Sequence, residues 1–241
     1  MKNKELYWRI KLQRINKESR DEAPFENFCR KTDRAKKLFN QINRRILDKA
    51  CLKEALIQFV ISDITAFEVY FKDLFYWIYT FNECPRDFLI KCDKMVDKKF
   101  EFQDLIMISY GGYQLCDILL QLQNFQNLGN IDKTFSTLIK ENFLNSLNGR
   151  KFKIEGDTDE PDGFKLDKDW YVKLDGYLRM RHDLTHDFNP KIRLNRETIY
   201  DLHYNMINFI LAVDVVFQEE IVNPFLKKYS KPSKKRKAKC T

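Results

Sequence analysis

From Phe25 to Cys84 the chain runs for sixty residues without a glycine or a proline. Backbone of that kind contains neither a flexible pivot nor a missing N–H, and its apolar residues recur at helical spacing. Leu52, Leu56, Phe59, Val60, Ile64, Phe67, Phe71, Leu74, Phe75 and Ile78 are separated almost entirely by steps of three, four or one. Sixty residues exceed an ordinary helix, so the pattern predicts two, with a break between Asp48 and Lys53. Pro24 suits the first turn of the earlier one, where its absent N–H costs nothing.

The remainder continues in the same idiom. Pro85 opens a helix through PRDFLIKCDKMV, and shorter helices are expected around Glu101–Ile108 and Gln114–Gln123. Asp132 is read as the N-cap of a helix reaching Leu147. Gly149 to Gly163 is the most loop-like stretch, with room for a small hairpin around KFKIEG. A helical pattern resumes near Asp167 and ends at Asn189-Pro190, because a residue before proline disfavours the helical region. Asn195 is an N-cap for a last long helix whose apolar face runs Ile199, Leu202, Met206, Phe209, Ile210, Val213 and Phe217, interrupted by Pro224. With only 7 Gly and 6 Pro the chain lacks the turns of an all-β fold. The expected architecture is all-α: one helical bundle over residues 1–228, with a possible small hairpin before the motif helix, and a basic tail at 229–241 that reads as disordered.

Charge is unevenly placed. Lys227, Lys228, Lys231, Lys234, Lys235, Arg236, Lys237 and Lys239 cluster at the end without an acid, and without these eight the 43 basic residues fall to 35, matching the 35 acidic ones. The net charge of +8 therefore belongs to the tail, which is either an RNA-affinity element or a solubility tail. Its KKRK also resembles a nuclear-import signal. The 20 Phe, 11 Tyr and 3 Trp mostly follow the apolar stripes and read as core rather than as a base-stacking platform. Six cysteines without a CxxC pair, and no apolar leader, predict reduced thiols and a cytoplasmic protein. The most apolar runs are broken by charge, so no membrane partner is expected.

The residues that carry chemistry are gathered in RMRHDLTHDFNP, Arg179 to Pro190, which holds two of the three histidines. One reading is a solvated helix end with histidines near the C-terminal dipole. A second is zinc, because His182 and His186 are four apart and share a helix face. Against it stand the missing Glu of H-E-x-x-H, the lack of an evident third ligand, and Arg181 alongside. A third is RNA cleavage without metal, in which the substrate's 2′-hydroxyl is the nucleophile. Histidine suits the proton transfers because its ordinary pKa of about 6.5 lies near neutrality. Arginine suits charge on the phosphorane because its planar fork donates two hydrogen bonds while staying charged. One His and one Arg make half a site, and a symmetric dimer would bring the other half.

Arg181-His182-Asp183-Leu184-Thr185-His186 matches the R-x4-6-H motif, and the chain resembles the HEPN (higher eukaryotes and prokaryotes nucleotide-binding) superfamily. YVKLDGYLRMRHDLTH is similar to the helix leading into that motif, and VISDITAFEVYFKDLF to the early core helix of large stand-alone prokaryotic members. The resemblance covers roughly Leu52 to Phe225. It implies a helical bundle that homodimerises with the two motifs facing each other. It also implies metal-independent endoribonuclease activity on single-stranded RNA, in a toxin–antitoxin or antiphage-defence setting, with no cofactor and no metal.

Carried over by position, Arg181 binds phosphate, His186 is catalytic and His182 supports the site. Glu68 is a weaker candidate, an acid on the core helix that orients a motif residue or forms a surface ion pair. Where some members continue as R-x4-H-x-Y, this chain has Phe188, so regulation through that tyrosine is not implied. On a regular helix Arg181 and His186 point about 140° apart, whereas Arg179 and His186, seven apart, share a face. Arg179 is therefore the alternative arginine, and a long side chain or a distorted helix end is needed to bring Arg181 into play. The competing functional reading is a non-catalytic helical dimer that binds RNA, nucleotide or a protein partner.

Overall fold

A computed structural model describes residues 23–45, 48–81, 90–92, 110, 115–153, 163–186 and 195–229, without the side chains at 44, 45, 115, 186 and 229. The chain is all-α, with seven helices and one two-stranded sheet among the described residues. Helix α1 (Pro24–Arg45) starts on the proline, and α2 (Lys49–Phe81) follows after a short break. Asp48 accepts a hydrogen bond from the Ala50 N–H at 2.9 Å and so starts α2 at the near edge of the expected window. The two helices are antiparallel, as Phe39 stacks on Phe59 at 5.6 Å and Phe28 meets Tyr70 at 5.9 Å.

Helix α2 is the spine of the bundle. Of the predicted apolar stripe, every residue except Leu52 is buried. Phe67 and Phe71 meet Phe209, and Phe71 also meets Phe125 and Phe135. These aromatic residues thus serve as core. Most of the expected helices between Pro85 and Ile108 lie outside the described residues; Ile90–Cys92 is helical. Helix α3 (Leu115–Leu122) falls within the expected span.

The next segment corrects the sequence expectation. Helix α4 spans Leu128–Leu138 and is capped by Asn127, whose extended backbone lets its side chain accept from the Asn130 N–H. Asp132 lies inside it and receives the Ser136 hydroxyl at 3.0 Å and the Leu144 N–H at 2.9 Å. Its carboxylate therefore ties down the chain after the helix rather than starting one. The helix does not reach Leu147, because the chain turns through Asn142 (φ 55°) into a short 3-10 turn at Asn145–Leu147.

Strand β1 (Lys151–Phe152) pairs antiparallel with β2 (Phe164–Lys165). The first strand falls in the expected KFKIEG hairpin, but its partner comes from beyond 154–162 rather than from a tight turn. Gly163, at φ +75°, enters β2 so close to β1 that a Cβ would stand 2.2 Å from the Phe152 carbonyl oxygen. The sheet leads into α5 (Trp170–His186), and Trp170 donates its indole N–H to Asn148 at 2.8 Å. Trp170 also stacks on Phe209 at 5.1 Å, which seats the start of α5 on α6 (Arg196–Phe217).

Asn195 caps α6 by accepting the Glu197 N–H, and all seven predicted face residues are buried. The ending differs from expectation. A five-residue π turn, Gln218–Val222, follows α6 without interruption, and α7 (Asn223–Tyr229) places Pro224 in its first turn rather than at a break. Lys227 and Lys228 belong to α7, so the basic cluster begins on a helix, and its residues from 230 lie outside the described ones. Cys92 is buried, Cys29 half-buried and Cys51 exposed, none in a disulfide. No helix among the described residues is long and apolar enough to cross a membrane.

Candidate functional site

Helix α5 stays α-helical through His186, so no distorted end alters the angular relation of its residues. At about 100° per residue, Trp170, Leu174, Tyr177, Arg181 and Leu184 share one side, and Val172, Asp175, Arg179, His182 and Asp183 the other. Burial follows this division. Trp170, Leu174, Tyr177 and Leu184 are buried, whereas Val172, Arg179, His182 and Asp183 are exposed.

Arg181 therefore enters the site from the packed side. Its guanidinium donates to the Glu68 carboxylate of α2, joining residues 113 apart in sequence. The Glu68 side chain is 11% exposed and that of Arg181 27%, so the pair sits at the edge of the core with the arginine the more exposed partner. Burial lowers the Arg181 pKa from its ordinary value, but the Glu68 carboxylate beside it compensates the charge. The weakest sequence candidate, Glu68, is thus in contact with the strongest.

Arg179 lies on the opposite side, 78% exposed, paired with Asp175 one turn earlier at 2.7 Å. His182 is exposed on the same side. His186 is the final residue of α5, and its side chain lies outside the described residues. Thr185 folds its hydroxyl back onto the Arg181 and His182 carbonyls, at 2.8 and 3.2 Å, a back-bond within the helix that satisfies the hydroxyl. Positions 181 and 186, five residues apart on regular α-helix, lie about 140° apart around its axis.

One group escaped the sequence reading. Asp63 of α2 is fully buried, and its Oδ2 accepts the Tyr177 hydroxyl at 2.9 Å and stands 2.8 Å from His203 Nδ1. The carboxylate is the acceptor, so Nδ1 is the protonated nitrogen of that contact. Burial pushes the Tyr177 hydroxyl well above its ordinary pKa, so it remains a donor. The third histidine is therefore a core residue that binds α6 to α2 and α5. The available signal was an acid set among apolar neighbours in FVISDITAF, though its partners lie 114 and 140 residues away.

Among the described residues no three His, Cys, Asp or Glu side chains form a set able to hold a metal ion. No protein-family model matches the chain, and no curated protein and no solved structure matches it.

Proposed function

We propose that the protein is a metal-independent endoribonuclease that cuts single-stranded RNA as a homodimer. In this reading the RNA 2′-hydroxyl attacks the adjacent phosphorus and the 5′-oxygen leaves. His186 transfers the protons and His182 supports it. Arg181 stabilises charge on the phosphorane. The observation that carries the reading is the Arg181–Glu68 contact: the motif arginine is fixed in place by an acid of the core helix while its side chain remains partly exposed. A fixed cation needs little reordering when charge develops, which favours stabilisation of a transition state. Arg179 must instead be ordered from an exposed position, at a side-chain entropy cost of up to about 2 kcal/mol. Arg181 is therefore the leading arginine and Arg179 the alternative.

The angular separation of Arg181 and His186 in one protomer supports a composite site, in which a second copy supplies the missing group. The motif's family resemblance suggests a toxin or antiphage-defence effector in the cytoplasm, held in check by an antitoxin or another defence partner. The Arg181–Glu68 pair also favours one other reading, a non-catalytic dimer that keeps the motif for packing and binds RNA, nucleotide or a protein. The deciding experiment incubates the purified protein with single-stranded RNA in EDTA. Cleavage leaving 2′,3′-cyclic phosphate ends, lost in His186→Ala and on 2′-deoxy substrate, is expected. Activity that requires zinc, or RNA binding without any cleavage, overturns the proposal. Sedimentation at micromolar concentration tests the dimer, and a monomer that still cuts RNA removes the composite site.

A further inference from the structure

The apolar side chains of α5 are not confined to one side. Trp170, Leu174, Tyr177, Leu178 and Leu184 are buried, Met180 is half-buried, and Tyr171 and Val172 are exposed. Burial therefore turns one side of the helix inward, but apolar contact is non-directional and tolerates small rotations about the helix axis. Hydrogen bonds select strongly, because donor and acceptor must meet within a narrow range of distance and angle.

Two acids of α2 provide that selection. Glu68 holds Arg181, and Asp63 holds Tyr177, which lies four residues before Arg181 on the same side of α5. Asp63 is the more demanding of the two, because it and His203 are almost wholly enclosed while Arg181 keeps contact with solvent. Turning α5 by one residue would carry the Tyr177 hydroxyl away and strip a donor from an enclosed carboxylate, a costly state.

We propose that Asp63 is the positioning residue of the candidate site, fixing the rotation of α5 that keeps Arg181 against Glu68 and presents His182 on the exposed side. The inference rests on α5 being the functional helix. Both of Asp63's contacts use the same oxygen, Oδ2, while Oδ1 has no hydrogen-bond partner. A side-chain amide with its oxygen at the Oδ2 position reproduces both acceptances, so positioning depends on geometry rather than on the carboxylate's charge.

The test uses full-length protein with reporter thiols at the buried Leu184 and the exposed Thr185, as Leu184→Cys and Thr185→Cys. Alkylation at each is read by peptide mass spectrometry, which separates the reporters from native cysteines. Position 185 should react at least tenfold faster than 184. Tyr177→Phe should lower that ratio at least threefold while retaining cooperative unfolding. Asp63→Asn should keep it within twofold, and Asp63→Val should lower it if the variant folds. In the cleavage assay, folded Tyr177→Phe should lose at least fivefold in kcat with KM within twofold, and Asp63→Asn should retain kcat within twofold.

A folded Tyr177→Phe protein with reduced melting temperature but unchanged labelling ratio has lost only stability, and the positioning role is then wrong. Loss of the ratio in Asp63→Asn as severe as in Tyr177→Phe also overturns it. If the ratio behaves as expected while wild-type protein cuts no RNA, positioning stands and the ribonuclease reading fails.

Discussion

The guanidinium of Arg181 and the carboxylate of Glu68 meet across the α5–α2 interface, with the acid more enclosed than the base: 11% against 27% exposed. That asymmetry predicts unequal costs. Arg181→Ala leaves an enclosed carboxylate without its cation and should destabilise by about 3 kcal/mol. Glu68→Ala leaves a guanidinium that can reach water and should cost about 1 kcal/mol. Urea unfolding of the two single variants and the double variant measures both terms. Equal costs, or the reverse order, would show that the pair is not enclosed as described. Cleavage by Arg181→Ala must accordingly be referred to its folded fraction.

Asp214 of α6 predicts a pH dependence. Burial raises its carboxyl from 3.8 to about 6, with Gln218 and Tyr70 pulling the other way. The folded protein therefore holds this proton more tightly than the unfolded chain does. The resulting stability is fully present below about pH 4 and is lost as pH rises through about 6, roughly 3 kcal/mol at most. Asp214→Asn should be more stable than wild type at pH 8, with the difference shrinking towards pH 4. A difference independent of pH would rule out the shift.

Gly149 and Gly163 both adopt positive φ, at 67° and 75°, but in different surroundings. A Cβ on Gly149 meets nothing within 4 Å, whereas one on Gly163 strikes the Phe152 carbonyl. Gly149→Ala should cost about 1 kcal/mol from backbone strain alone. Gly163→Ala should cost about 3 kcal/mol and displace the β1–β2 pairing that leads into α5. Thermal unfolding of both variants checks the order, and a Gly163→Ala protein as stable as Gly149→Ala would contradict the close approach.

Truncation before Ser230 removes Lys231, Lys234, Lys235, Arg236, Lys237 and Lys239 but keeps Lys227 and Lys228 on α7. If the removed charges neutralise phosphates, the slope of log affinity for RNA against log salt should become shallower. The expected change is about 0.7 for each phosphate of a single strand that is no longer neutralised. Fluorescence anisotropy at several salt concentrations reads it. An unchanged slope assigns the tail to solubility.

Legibility in the sequence tracked the range of the interactions. The α6 face and its Asn195 cap were readable because periodicity and capping act within a few residues. The inward placement of Arg181 also follows from counting residues along α5. Asp132 misled because its side chain has a partner after the helix, and Asn127 offered a competing cap only five residues upstream. Glu68 could be named as an acid on the core helix, but its partner was set by packing between helices more than a hundred residues apart. Asp63 looked like one polar interruption in an apolar stripe, since neither Tyr177 nor His203 is near it in the chain. The return strand Phe164–Lys165 was equally remote from local turn chemistry.

The π turn at Gln218–Val222 gives the far end of the chain an angular offset. Arg150 bonds Glu219 and Lys140 bonds Glu220 at 3.3 Å, so two separate segments grip the turn from outside. Beyond it, Phe225 meets Phe81 at 5.1 Å at the end of α2. Winding these same five residues as regular α-helix would rotate everything beyond them by about 90°. Phe225 would leave Phe81, and Lys227 and Lys228 would face another side of the bundle. The heading of Lys227 and Lys228 is thus set by how five residues are wound.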